Sequence, residues 1–195
     1  MISKNIKIVS VGTFLSCCLL VGCGSNATES SKQADLNETA QTESAKAPAK
    51  FDLLRDFYWG ENIQEVQKAR EAIFAGHLED LNSDLYAVPL KDGEDNMVLG
   101  FEIEGYQAWV WNNELWCLDI IFKDQLWTYF YYDSLQTSIT NMYGQKPVQA
   151  DKHITKWLID GNLVALIHIS NGEEQMNIIE ITSPEIFKKI KEGEG

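Results

Sequence analysis

Two apolar runs on either side of Asp160-Gly161 constrain this chain more than any other feature. Asp-Gly supplies the two positive-φ positions that a tight antiparallel turn needs, so residues 154–159 and 163–169 read as the arms of a β-hairpin. Asn112-Asn113 plays the same part between residues 107–111 and 115–122. A two-residue turn there sets Trp109 opposite Trp116 and Trp111 opposite Glu114. One face of that hairpin then carries Trp109, Trp111, Trp116, Leu118, Ile120 and Phe122. The other carries Ala108, Val110, Leu115, Cys117, Asp119 and Ile121. The later hairpin repeats the doubling, with Trp157, Ile159, Val164, Leu166 and His168 on one side and Leu158, Leu163, Ala165 and Ile167 on the other. A sheet that is apolar on both faces must cover both or use one to bind. Tryptophan dominates interface hot spots, which makes Trp109, Trp111 and Trp116 the candidate interaction face.

The other elements are punctuated by caps and turns. Asn62 is placed to cap a helix through Ile63, Val66, Ala69 and Ile73 to Phe74, with Gly76 as its stop. Strands follow at 85–90, closed by Asp92-Gly93, and at 97–103. Leu135, Ile139, Met142 and Tyr143 mark a second helix that Gly144 ends, with Pro147 just beyond. A last strand at 176–182 follows a turn at Asn171-Gly172, and residues 184–191 make a closing amphipathic helix. The order α-β-β-β-β-α-β-β-β-α predicts the α+β class, an antiparallel sheet with helices layered on one face. Phe57-Tyr58-Trp59 and Phe130-Tyr131-Tyr132 open two halves alike, which suggests two α-β-β-β half-repeats.

Residues 24–50 differ from all of this. They are mostly Ser, Thr, Ala, Gln, Glu and Lys, with Pro48 near the end and Leu36 the only large apolar side chain. Such a stretch cannot bury enough surface to offset its conformational entropy, so it reads as a disordered tether. As a random coil it would span roughly 30 Å. Ahead of it, Lys4 and Lys7 precede an apolar run from Ile8 to Leu20, too short for the ~30 Å of a bilayer core. That run closes on Leu20-Val21-Gly22-Cys23, which resembles the lipobox of bacterial lipoproteins. The resemblance implies a signal peptide at 1–22 and a diacylglyceryl group on the thiol of Cys23, the new N-terminus. Two acyl chains hold a protein stably at a membrane, where one does not. It implies a 23–50 lipidated tether, a 51–195 globular domain, and attachment to the extracytoplasmic side of the cell membrane.

Cys17 and Cys18 would leave with the signal and Cys23 would be blocked by lipid, which leaves Cys117 in an apolar run. It reads as a small buried hydrophobe. The whole chain has 16 basic and 29 acidic residues, a net charge of −13; without Lys4 and Lys7 the balance is −15. Such a surface is repelled by phosphate backbones, which argues against nucleic acid as a partner. The carboxylates of Asp92-Gly93-Glu94-Asp95-Asn96 lack calcium-loop spacing and read as a solvated turn. His77, His153 and His168 are scattered, so no zinc site is expected from them. No catalytic, cofactor or metal residue is assigned.

Phe57-Tyr58-Trp59-Gly60, a helix with Val66, Tyr143-Gly144-x-x-Pro147 and the Trp157 strand together resemble small lipoproteins and secreted proteins of the β-lactamase-inhibitor-protein-like architecture. That architecture hosts inhibitors and assembly factors alike, so the resemblance implies a fold and leaves function open. The expected function is a lipid-anchored binding or interaction module of the bacterial envelope, without enzymatic activity. Its expected partners are the membrane, through Cys23, and an envelope or extracellular protein. A structural or assembly component, or an enzyme of unrecognised type, are the alternatives.

Overall fold

Asp160 and Gly161 take φ of 48° and 79°, and Asn112 and Asn113 take 50° and 66°, so both turn dipeptides adopt the left-handed backbone that a two-residue hairpin requires. The computed structural model describes residues 51–123, 128–170 and 175–193. The expected turn at Asn171-Gly172, the lipobox and the tether lie outside them. In chain order the elements are α1 (Ile63–Arg70), β1 (Ile73–Leu78), β2 (Ser83–Pro89), β3 (Met97–Val98), β4 (Phe101–Trp111) and β5 (Glu114–Phe122). The second half holds α2 (Tyr129–Tyr143), β6 (Gln149–Ala150), β7 (Ile154–Ile159), β8 (Asn162–Ser170), β9 (Gln175–Thr182) and α3 (Pro184–Glu192). No described helix is long and apolar enough to cross a membrane.

The fold is α+β. Nine described strands form one antiparallel sheet in the order β1-β2-β4-β5-β9-β8-β7-β6, with β3 paired to β4. Each half is a helix followed by an antiparallel meander, and the two meanders meet where β5 pairs with β9. The first half has five strands where four were expected, because residues 73–78 fold as a strand, and the short β6 brings the second half from the expected three to four. Helix α1 stops at Arg70, since Glu71 takes φ 55° and its N–H closes the last turn onto Gln67. Ile73 and Phe74, expected to finish that helix, instead open the edge strand β1, which runs through Gly76, the expected stop. The buried stripe of α1 is Ile63, Val66 and Arg70. Ile73 and Phe74 are exposed and extended, as β-branched and aromatic residues favour. The expected strand at 97–103 breaks at Leu99-Gly100, where φ of 55° and 84° makes a tight turn between β3 and β4.

Helices α1 and α2 cover the first face of the sheet. Ile63, Val66, Tyr132, Leu135, Ile139 and Tyr143 join one apolar cluster with Leu118, Ile120, Trp157, Val164, Leu166, Ile179 and Ile181 from the strands. Met142, expected on the buried side of α2, is 41% exposed. Helix α3 packs apart from that cluster. Ser183 caps it with a bond from Ile186 N–H, and its Phe187 stacks on Trp116, which lies outside that cluster.

Candidate functional site

A β-bulge decides what the second face carries. Trp111 pairs with Glu114 and Val110 with Leu115, as expected, but Trp109 then pairs with Cys117 and not with Trp116. Trp116 is the extra residue. The shift moves Cys117, Asp119 and Ile121 to the side of Trp109, while Leu118, Ile120 and Phe122 turn into the main core. This corrects the expected faces of the hairpin beyond the turn.

On the second face the cross-strand partners run in rows. One row is Leu85, Trp109, Cys117, Thr182, Leu163 and Leu158. Another ends in Ile121, Ile178, Ile167 and Ile154. Between these two lies Ala87, Gln107, Asp119, Glu180, Ala165 and Lys156. A charged stripe thus crosses the middle of an apolar face, and its two carboxylates are direct partners across the β5–β9 seam.

The pair lies among largely buried side chains. Asp119, Gln107 and Lys156 are buried and Glu180 is half-buried. Trp109 Nε1 donates to Asp119 Oδ2 at 2.9 Å, and Cys117 Sγ stands 4.0 Å from Asp119 Oδ1. Thr182 Oγ1 donates to the same sulfur at 3.7 Å. Burial pushes Asp119 up to about 7, against the smaller opposing effect of the indole bond. Burial and then the Asp119 charge push Glu180 up to about 8, against the nearby Lys156. Such a pair can share a proton, bond a polar ligand or take up a cation.

Trp109, Trp111 and Trp116 are 7%, 8% and 0% exposed. They do not form an open patch, and of the three it is Trp109 that touches the pair, through Asp119. Trp116 Nε1 is buried with no hydrogen-bond partner among the described residues. Sequence reasoning missed Asp119 and Glu180 as a site. The signal was present, since each is the one charge within an otherwise uncharged strand core, at 115–122 and 176–182.

Other polar groups come together elsewhere. Arg70 is buried between the rings of Phe57 and Tyr106 and donates to Glu94 at 2.8 Å. Burial alone would raise Glu94. Bonds from Lys91 N–H, Tyr106 and Arg70 outweigh it and hold the carboxyl below its usual range. Glu94 thus closes the turn with its N–H on Lys91 O while its side chain is held at the core rim, and Asp92, Gly93 and Asp95 are exposed as expected. His153 and His168, far apart in sequence, stack at 5.8 Å, and His168 bonds Asn177 at 2.8 Å. A cleft of about 420 Å³ opens between the 51–56 segment and the β3 turn, with Asp52, Arg55, Asp56, Asp95, Met97 and Met142 in its lining.

No family model, curated protein or solved structure matches the chain. What the molecule does must follow from its own chemistry. Of the clusters above, the Arg70 network is satisfied internally, whereas the stripe at Asp119 and Glu180 leaves Gln107 Oε1 buried with no hydrogen-bond partner among the described residues.

Proposed function

We propose that this protein is a lipid-anchored, extracytoplasmic binding module of the bacterial cell envelope. It is held through Cys23 and handles its ligand on the second sheet face, around Asp119 and Glu180 and beside Trp109. One observation carries the binding reading: two carboxylates and a lysine share one row in the middle of an apolar face. Burying charge costs several kcal/mol per ion, and packing alone would be served as well by apolar residues. Ligand sites have this composition, mostly apolar with a few converging polar groups. The anchor is supported by Leu20-Val21-Gly22-Cys23 and the polar tether that follows it.

Intact-mass measurement on the full chain expressed in a bacterium tests the anchor. The expected product begins at a diacylglyceryl-modified Cys23 and partitions with membranes, and Cys23→Ala leaves it unprocessed or shed. An unmodified N-terminus elsewhere would overturn the anchor. For the binding face, crosslinking in intact cells should capture a partner that the Asp119→Asn, Glu180→Gln double variant loses. Unchanged capture by a folded double variant would remove the face from the reading.

A further inference from the structure

We propose that Cys117, Asp119 and Glu180 form the site of one thiophilic divalent cation of the Zn²⁺ class. The inference rests on the reading of this face as the binding centre and not on the lipid anchor. Cys117 and Asp119 are two residues apart on β5 and so share a face, and Glu180 is the direct partner of Asp119 on β9. Their donor atoms, one thiol sulfur and two carboxylate oxygens, all lie within 4.8 Å of one another. Zinc bonds of about 2.0–2.3 Å in a tetrahedron hold ligand atoms roughly 3.3–3.8 Å apart. The 4.0 Å between Cys117 Sγ and Asp119 Oδ1 is a small side-chain rotation from that spacing.

Gln107 points to the same ligand independently. It is the partner of Asp119 on the side away from Glu180, it is 4% exposed, and its Oε1 is buried with no hydrogen-bond partner among the described residues. A buried amide oxygen without a donor is costly, and a cation satisfies it. Gln107 is thus the residue placed to supply a fourth ligand. Trp109 completes the arrangement. Its indole N–H holds Asp119 Oδ2, which fixes the carboxylate with Oδ1 toward the sulfur, the orienting part that outer partners play in metal centres.

Charge selects the valence. One thiolate and two carboxylates carry three negative charges, and Lys156 in the same row returns one. A divalent cation brings the set to neutrality. Thiolate disfavours Mg²⁺ and Ca²⁺ and favours the softer ions. Binding releases the protons that the thiol and the two carboxyls would otherwise hold, so affinity rises with pH.

Co²⁺ and Zn²⁺ salts added to the full chain test this. One equivalent of Co²⁺ should give a thiolate charge-transfer band in the near ultraviolet that Zn²⁺ abolishes. The difference spectrum against Cys117→Ser assigns the band to Cys117, because the other cysteines are common to both chains. Zn²⁺ should raise the melting temperature of the wild type, and Glu180→Gln should weaken Zn²⁺ at least ~10-fold while keeping the fold. A blank difference spectrum, or an equal Zn²⁺ effect on the wild type and Glu180→Gln, overturns the cation site. Should Cys117→Ser not fold, the Glu180→Gln comparison decides alone. A missing cation response with partner capture still lost in the double variant would sink the cation and leave the binding face standing. Failure of both would sink both.

Discussion

Asp119 and Glu180 hold protons in the folded protein that water would take from them. Unfolded, both ionise near pH 4; folded, burial raises them to about 7 and about 8. Between those limits the native state binds more protons than the unfolded chain, so the pair's contribution to stability falls as pH rises and levels off above pH 8. Urea unfolding across pH 4–9 should show this slope in the wild type and its loss in the Asp119→Asn, Glu180→Gln double variant. Parallel curves would mean the pair is not desolvated. Arg70 presents the opposite case, a buried cation whose partners satisfy it. Its side chain is 3% exposed and that of Glu94 10%, so Arg70→Leu leaves a buried carboxylate without its cation. The expected cost is about 3–5 kcal/mol of unfolding free energy, read by denaturant titration.

At the scale of elements, close strand contact sets the tolerance. A Cβ added at Gly105 on β4 would stand 2.9 Å from the backbone oxygen of Val88 on β2. Backbone cannot rotate away as a side chain can, so Gly105→Ala should cost about 1–3 kcal/mol. An unchanged melting temperature would show that β2 gives way. Trp111→Ala tests the tryptophan layer. The ring is 8% exposed, and truncating a packed aromatic costs about 3–5 kcal/mol. Stability within 1 kcal/mol of wild type would instead make Trp111 a surface contact. The hairpin turns were legible in Asn112-Asn113 and Asp160-Gly161 because only a few dipeptides accept two positive φ values. The Leu99-Gly100 turn was not, since Leu in that conformation is rare and only the paired strands hold it there.

For the whole molecule, the seam between β5 and β9 joins two meanders into one sheet, so neither half offers a complete hydrophobic cluster on its own. A fragment of residues 51–195 should unfold in a single cooperative transition without lipid, metal or disulfide. A melting temperature far below that of the 24–195 chain would show that the tether belongs to the fold.

Sequence by itself determined the fold class, the caps at Asn62 and Gly144, and the existence of a sheet apolar on both faces, because each depends on local backbone chemistry or on the two-residue period of a strand. It also held the lipobox-like Leu20-Val21-Gly22-Cys23, a linear signal that needs no fold to be read. Only the tertiary structure decided which strand faces which. One bulged residue at Trp116 reverses the side of every residue after it, and periodicity cannot reveal an insertion that pairing alone defines. That reversal, with the meeting of β5 and β9 across sixty residues of chain, is what sets Cys117 and Asp119 beside Glu180.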